Sequence, residues 1–267
     1  MTDQAETKSV PDDDRVSRRS LLGVSAAGIG RAAAVPLLGL SAAAPKAMAD
    51  GNGGDQPTPP QALTMLKEGN ARFVAWRVGR GELENVHESA LDICIPGSDQ
   101  NFENAQSPFA IVLGCSDSRV PPELIFDQGF GDIFTTRTAG ATCDPIVLGT
   151  IEYAAVELGS PLLVVMGHSH CGAVTSAVDS VVYGTVPPGW IQNAITPILP
   201  AARQANREMP RASVDAKIAR AVRIQAANVS QQILGRSVWL RQASQQGRFG
   251  VVPAVYDLDT GIVTFLG

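Results

Sequence analysis

Positive charge is the first thing this chain is short of. Its 267 residues carry 21 Lys and Arg against 26 Asp and Glu, a net charge of -5. A nucleic-acid partner asks for a basic patch or stripe, so that class is set aside. Cysteine is scarce as well. Four in a chain of this length are too few and too dispersed for a disulfide framework. No internal repeat recurs at solenoid or propeller periods. Long apolar runs are also missing. The Ala/Gly-rich stretch over 21–44 is interrupted by Arg31, and neither half reaches the ~20 apolar residues of a membrane span. With 45% hydrophobic residues, what remains is enough for one sizeable domain with its own core.

The N-terminus reads as an export signal. Residues 1–16 are polar and acidic, Arg18 and Arg19 follow, and the apolar stretch ends at Ala47-Met48-Ala49. A charged region, an apolar region and a small-x-small cleavage site make a secretory signal, and the paired arginines resemble the twin-arginine type. The expected organisation is a signal peptide over 1–49, a flexible Gly/Pro-rich linker over 50–60 and a catalytic domain over 61–267. The mature chain is expected to be exported, with no stable membrane span. Export of an already folded protein would let a thiolate site load its metal before meeting an oxidising compartment.

Strand and helix patterns alternate through the mature region. Helical spacing over 58–77 puts Leu63, Leu66, Phe73 and Trp76 on one stripe. Short continuous apolar runs over 109–114, 132–137 and 161–167 read as strands buried on both faces. A helix is expected over 145–158, closed by Gly159, with two more over about 190–203 and 212–234. A fourth strand over 250–256 contains Pro253, which argues for an edge. A turn at Asp259-Thr260-Gly261 then leads into a hairpin partner over 262–266. The class is α/β, a mostly parallel sheet flanked by helices.

Chemistry concentrates at two strand ends. Cys115 opens Cys115-Ser116-Asp117-Ser118-Arg119, and His168-Ser169-His170-Cys171 follows the third strand. In open α/β sheets, sites form at the carboxyl ends of strands. Two thiolates and an imidazole hold zinc and leave its fourth position open, as in catalytic rather than structural sites. His168 and Cys171, at i and i+3, would share one face at a helix start, which favours His168 over His170. An unrestrained Asp117 carboxylate would take the open position. An arginine fork from Arg119 would hold it back and orient it. Cys94 and Cys143 have no partner pattern and read as small buried apolar residues, with a disulfide between them the lesser alternative.

These blocks, with Arg137-Thr138-Ala139-Gly140 and Ile151-Glu152-Tyr153-Ala154, resemble the β-class carbonic anhydrases over nearly all of the mature chain. The resemblance implies zinc on Cys115, His168 and Cys171, with Asp117 and Arg119 as a catalytic dyad. Asp117 would bind the metal only in a closed, inactive state. It further implies that Gln106 bonds substrate across a subunit interface, and that Phe134 and Tyr153 line the pocket. An N-terminal helix would clasp a neighbour in a homodimer or homotetramer. The implied reaction is reversible hydration of carbon dioxide to bicarbonate and a proton by zinc-bound hydroxide. Many members have Asn at 138 and some have Val at 139, so Thr138 and Ala139 depart from the pattern. Two rivals stand beside this reading. One is a carbonyl sulfide or carbon disulfide hydrolase on the same scaffold; the other is a non-catalytic zinc-binding protein, which would need neither Asp117 nor Arg119. A redox role for Cys115 lacks a C-x-x-C partner.

Overall fold

The structure is a computed structural model that describes residues 56–83 and 106–266. The expected signal segment, the linker up to residue 55, and Cys94 lie outside the described residues.

Helix α1 (Pro59–Arg77) starts at a capping box. Thr58 and the Gln61 side chain close its first turn, and prolines occupy the first helical positions, where no N–H is needed. Its buried face runs through Ala62, Leu66, Gly69, Asn70 and Phe73. Trp76, expected on that stripe, is instead 45% exposed and leans on Phe73 at a ring distance of 5.9 Å. Gly69 is required by packing: a Cβ there would lie 1.7 Å from the Phe126 carbonyl oxygen. Asn70 is buried because it is fully used. Its amide donates to Ile125 O (3.1 Å) and Gly261 O (2.9 Å), and its oxygen accepts from Val263 N (2.9 Å). Each such bond contributes about 0.5–1.5 kcal/mol, and together they tie α1 to the C-terminal hairpin.

The sheet comprises β1 (Ala110–Cys115), β2 (Ile133–Thr138), β3 (Leu162–His168), β4 (Gly250–Tyr256) and β5 (Val263–Phe265), in the order β2-β1-β3-β4-β5. The first four strands pair in parallel and β5 is antiparallel to β4. Alternation divides the core in two. Val112, Val164 and Met166 face one apolar layer, whereas Ile111, Leu113, Leu163 and Val165 face the other. Both layers are covered by helices, which is why these strands read as unbroken apolar runs. Pro253 sits in an inner strand, not an edge. Its carbonyl accepts from Leu266 N at 2.7 Å, so its missing donor faces the β5 side, where strand pairing begins only at Ala254.

Between the strands lie α2 (Pro122–Ile125), α3 (Pro145–Val156) and α4 (Gly172–Tyr183). The expected helix over 190–203 is broken into α5 (Ile191–Ile195), a 3-10 turn at Pro197, and α6 (Leu199–Glu208). Then come α7 (Val214–Arg236) and α8 (Val238–Gln245). Strand order reverses between β1 and β3, and that reversal opens the crevice at their carboxyl ends.

Candidate metal centre

Cys115 is the last residue of β1, and the chain leaves the sheet there toward Asp117. Arg137, on the neighbouring strand β2, holds that exit in place. Its Nε donates to Cys115 O at 2.8 Å, and a second guanidinium nitrogen donates to Asp117 O. Gly140, at φ +68, donates its N–H to Cys115 Sγ at 3.4 Å. A Cβ there would lie 2.4 Å from Ile198 Cδ1, so only glycine both turns the chain and points this N–H at the sulfur.

His168 ends β3 and Cys171 is the N-cap of α4. The i, i+3 spacing therefore does not lie on one helical face, as expected from sequence. A tight turn brings the two together, with His170 in the left-handed region at φ +54. Ser169 anchors the turn to the hairpin: its N–H donates to Tyr256 O (2.9 Å) and its hydroxyl accepts from Leu258 N (2.8 Å).

The ligand atoms of Cys115, His168 and Cys171 all lie within 4.8 Å of one another, and all three residues are buried. The two sulfurs are 4.0 Å apart. That is far from a disulfide and close to the roughly 3.8 Å spanned by two zinc–sulfur bonds of ~2.3 Å at a tetrahedral angle. His168 Nδ1 lies 2.9 Å from Ser169 O. A carbonyl only accepts, so Nδ1 carries the hydrogen and Nε2 keeps its lone pair. That Nε2 is buried and has no hydrogen-bond partner. A buried acceptor without a partner is costly in a metal-free protein and is satisfied by a cation. The donor set suits zinc.

The sulfurs titrate as a pair. The bond from Cys171 draws the Cys115 thiol down to about 4, helped by the Gly140 N–H against the effect of burial. The same bond, then burial and the Cys115 charge, push Cys171 up. Near neutral pH the two sulfurs thus hold one proton between them, in the place a cation would take.

Asp117 faces this cluster, its Oδ2 3.9 Å from His168 Nε2. Arg119 grips both carboxylate oxygens, with Nε on Oδ1 at 2.9 Å and a terminal nitrogen on Oδ2 at 2.7 Å, while its own backbone N–H also reaches Oδ1. These bonds hold the Asp117 carboxyl well below the usual carboxylate range. With its pKa depressed, Asp117 is charged at all higher pH and loses its charge only as pH falls through that lowered value.

A carbonic anhydrase family profile matches residues 110–263. Carbonic anhydrase 2 of Mycobacterium tuberculosis is 35% identical over 206 residues, covering 76% of this chain and 90% of its own length. The chain belongs to the β-class carbonic anhydrases. A carbonic anhydrase of Mycolicibacterium smegmatis is 36% identical over 77% of this chain and 92% of its own. Among solved structures, a β-carbonic anhydrase of Aspergillus fumigatus superposes with a TM-score of 0.56 at 25% identity, covering 78% of this chain and 89% of that one. A tetrameric β-carbonic anhydrase of Sordaria macrospora shares the fold, with a TM-score of 0.60 at 22% identity over 68% of this chain and 91% of that one.

Other residues expected from the β-class resemblance are not among those lining the small cavity at the ligand set. Gln106 is exposed and does not line the cavity beside the ligands. Phe134 and Tyr153 pack on each other at 6.3 Å between ring centroids, and Tyr153 is 50% exposed. Within one chain neither ring is among the residues lining that cavity. Thr138 spends its hydroxyl on Thr142 O at 2.8 Å. His170 is outside the ligand set, largely exposed and 3.8 Å from Asp259. Cys143 is a half-buried free thiol pushed up to about 11, chiefly by burial. Sequence reasoning missed the Arg137 clamp and the Gly140 N–H. Both lay inside a recognised block, but only the register of β2 against β1 shows what they touch.

Proposed function

We propose that this β-class carbonic anhydrase catalyses the reversible hydration of carbon dioxide to bicarbonate and a proton, and that the Arg119-held carboxylate of Asp117 beside the ligand set is the observation that carries the reading. Zinc held by Cys115, His168 and Cys171 supplies a Lewis acid that lets water give up a proton near neutral pH. Asp117 offers an acceptor that faces the ligands and has no freedom to turn away, so it fixes the direction from which a nucleophilic oxygen presents its lone pair. Arg119 keeps that carboxylate out of the ligand set. A structural zinc site needs neither residue.

The test is stopped-flow hydration of carbon dioxide by mature, zinc-quantified protein across pH. Turnover should rise with pH through one ionisation above ~7, because two thiolates donate more charge to zinc than the imidazoles for which a value near 7 is typical. Asp117 is ionised throughout this range, so that limb is not its titration. Turnover on carbonyl sulfide far exceeding that on carbon dioxide would replace this reading with the sulfur-substrate one.

We also propose export through the twin-arginine-type signal and assembly as a homodimer or homotetramer. Arg18 and Arg19 before the apolar stretch support the first. The second is supported by Gln106 lying exposed, by outward Phe130, Ile146 and Tyr153, and by the tetrameric Sordaria relative. Among the described residues no helix is long and apolar enough to cross a membrane. Changing Arg18→Lys and Arg19→Lys together should keep the protein inside the cytoplasm. Unchanged export of that variant, or a mature protein sedimenting as a monomer, would sink the corresponding proposal.

A further inference from the structure

Against the ligand set, and lined by Cys115, His168 and Cys171, lies a small cavity with room for roughly one water molecule. One wall is helix α7, and the residue it contributes nearest in kind to the chemistry is Gln225. Gln225 is only 4% exposed, and its Nε2 is buried without a hydrogen-bond partner. Its neighbours on the buried side of α7 include Ala221, Val222, Ile224 and Ala226, so an amide here interrupts an apolar face. Apolar packing alone does not account for it, and an unsatisfied buried donor calls for an acceptor.

The helix is brought to this place by Gly167, the residue before His168. A Cβ on Gly167 would lie 2.9 Å from Val222 Cγ1 and 3.5 Å from Val222 O, so α7 lies against β3 here because that position is bare. Val222 and Gln225 are i and i+3 on one helical face. The contact that seats Val222 on Gly167 therefore carries Gln225 to the cavity shared with Cys115, His168 and Cys171. His168 Nδ1–H is already spent on Ser169 O. Among the side chains lining the cavity the acceptors are then His168 Nε2, whose one lone pair a bound metal takes, and the two sulfurs, which keep lone pairs when they ligate.

We propose that Gln225 is a positioning residue of the metal centre, its Nε2 amide donating to the ligand sulfurs through one water held in this cavity. The proposal rests on the zinc reading above. Metal-bound thiolates are strong, charge-assisted acceptors, so the amide finds its best partners when the metal is in place. The amide therefore favours the loaded centre over the empty one. By withdrawing charge from sulfur it offsets the strong donation of two thiolates, as groups hydrogen-bonded to metal ligands do. The Gly140 N–H plays the same part toward Cys115 directly, at 3.4 Å.

The test compares wild type with Gln225→Leu, using the metal alone as probe. Zinc affinity by chelator competition should fall about 10-fold or more in the variant. In cobalt-substituted protein, the sulfur-to-metal charge-transfer band should move to lower energy, because sulfur loses a hydrogen bond. The metal-free variant should melt no lower than metal-free wild type, since an unpaired buried amide has been removed. Gln225→Met carries the same comparison should the Leu variant not fold. Unchanged zinc affinity with an unmoved cobalt band would overturn the proposal. So would a weaker affinity matched by a lower metal-free melting temperature, which is what a purely packing role predicts. Failure of the functional reading shows differently: wild type would take up zinc and leave carbon dioxide unhydrated, a result on which the Gln225 comparison does not depend.

Discussion

Asp117→Asn should retain its zinc and lose roughly 10²–10⁴-fold in kcat, the range typical when a positioned proton-handling group is removed. The substitution is nearly isosteric, and the Asp117 side chain is only 18% exposed, so the fold has no cause to change. What changes is the bonding. The carboxylate accepts from three nitrogens of Arg119, using both oxygens. An amide has one oxygen, and its NH2 group would face a guanidinium that can only donate. The grip loosens, and the acceptor aimed at the ligand set becomes a donor or swings away. Arg119→Ala should fail by another route. The carboxylate stays charged but is released 3.9 Å from His168 Nε2, where it can join the ligands and close the site. Stopped-flow rates paired with zinc content separate the two. Turnover by Asp117→Asn within about threefold of wild type would remove Asp117 from its assigned role.

Much of this was legible in the sequence, and the reasons differ from place to place. The parallel strands were readable because both sheet faces are covered, which leaves unbroken apolar runs such as Ile111 to Leu113 and Leu162 to Met166. The ligands were readable because soft residues gathered at two separate strand ends are seldom there for packing alone. How His168 and Cys171 converge was misread. Spacing of three fits a helical face, but it fits equally a strand end, a left-handed turn at His170 and a helix cap. Spacing does not distinguish these, because φ at residue 170 is set by the anchoring of Ser169 to the distant hairpin. The stripe on α1 was misplaced for a related reason. Asn70 and Gly69 look like breaks in an apolar face, yet Asn70 is buried by three backbone bonds, two of them to a segment over a hundred residues away. Gln225 was invisible for the same reason. A polar residue in a helical pattern reads as solvent-facing unless the partner surface is known.

Cys115→Ser should cost the protein its zinc. A four-ligand zinc site worth about 10–16 kcal/mol assigns roughly 3 kcal/mol, or two decades of affinity, to each ligand. Serine fails as a substitute because its hydroxyl does not ionise near neutral pH, and zinc favours the softer thiolate. The surroundings add to the loss. The Gly140 N–H favours the charged form of the Cys115 sulfur, and it has no charge to stabilise on a hydroxyl. The proton balance changes too. In wild type one thiol is already ionised near neutral pH, so zinc needs to displace only the proton on its partner. With Cys115 gone, Cys171 loses the neighbour that is the first cause of its raised pKa, but it becomes the sole sulfur ligand. Chelator competition against the metal-free protein reads the affinity, and circular dichroism should stay native, because the side chain is small and the sheet around it is intact. Stoichiometric zinc at wild-type affinity in the variant would mean that the metal is held elsewhere, and the assignment of Cys115 as a ligand would fall.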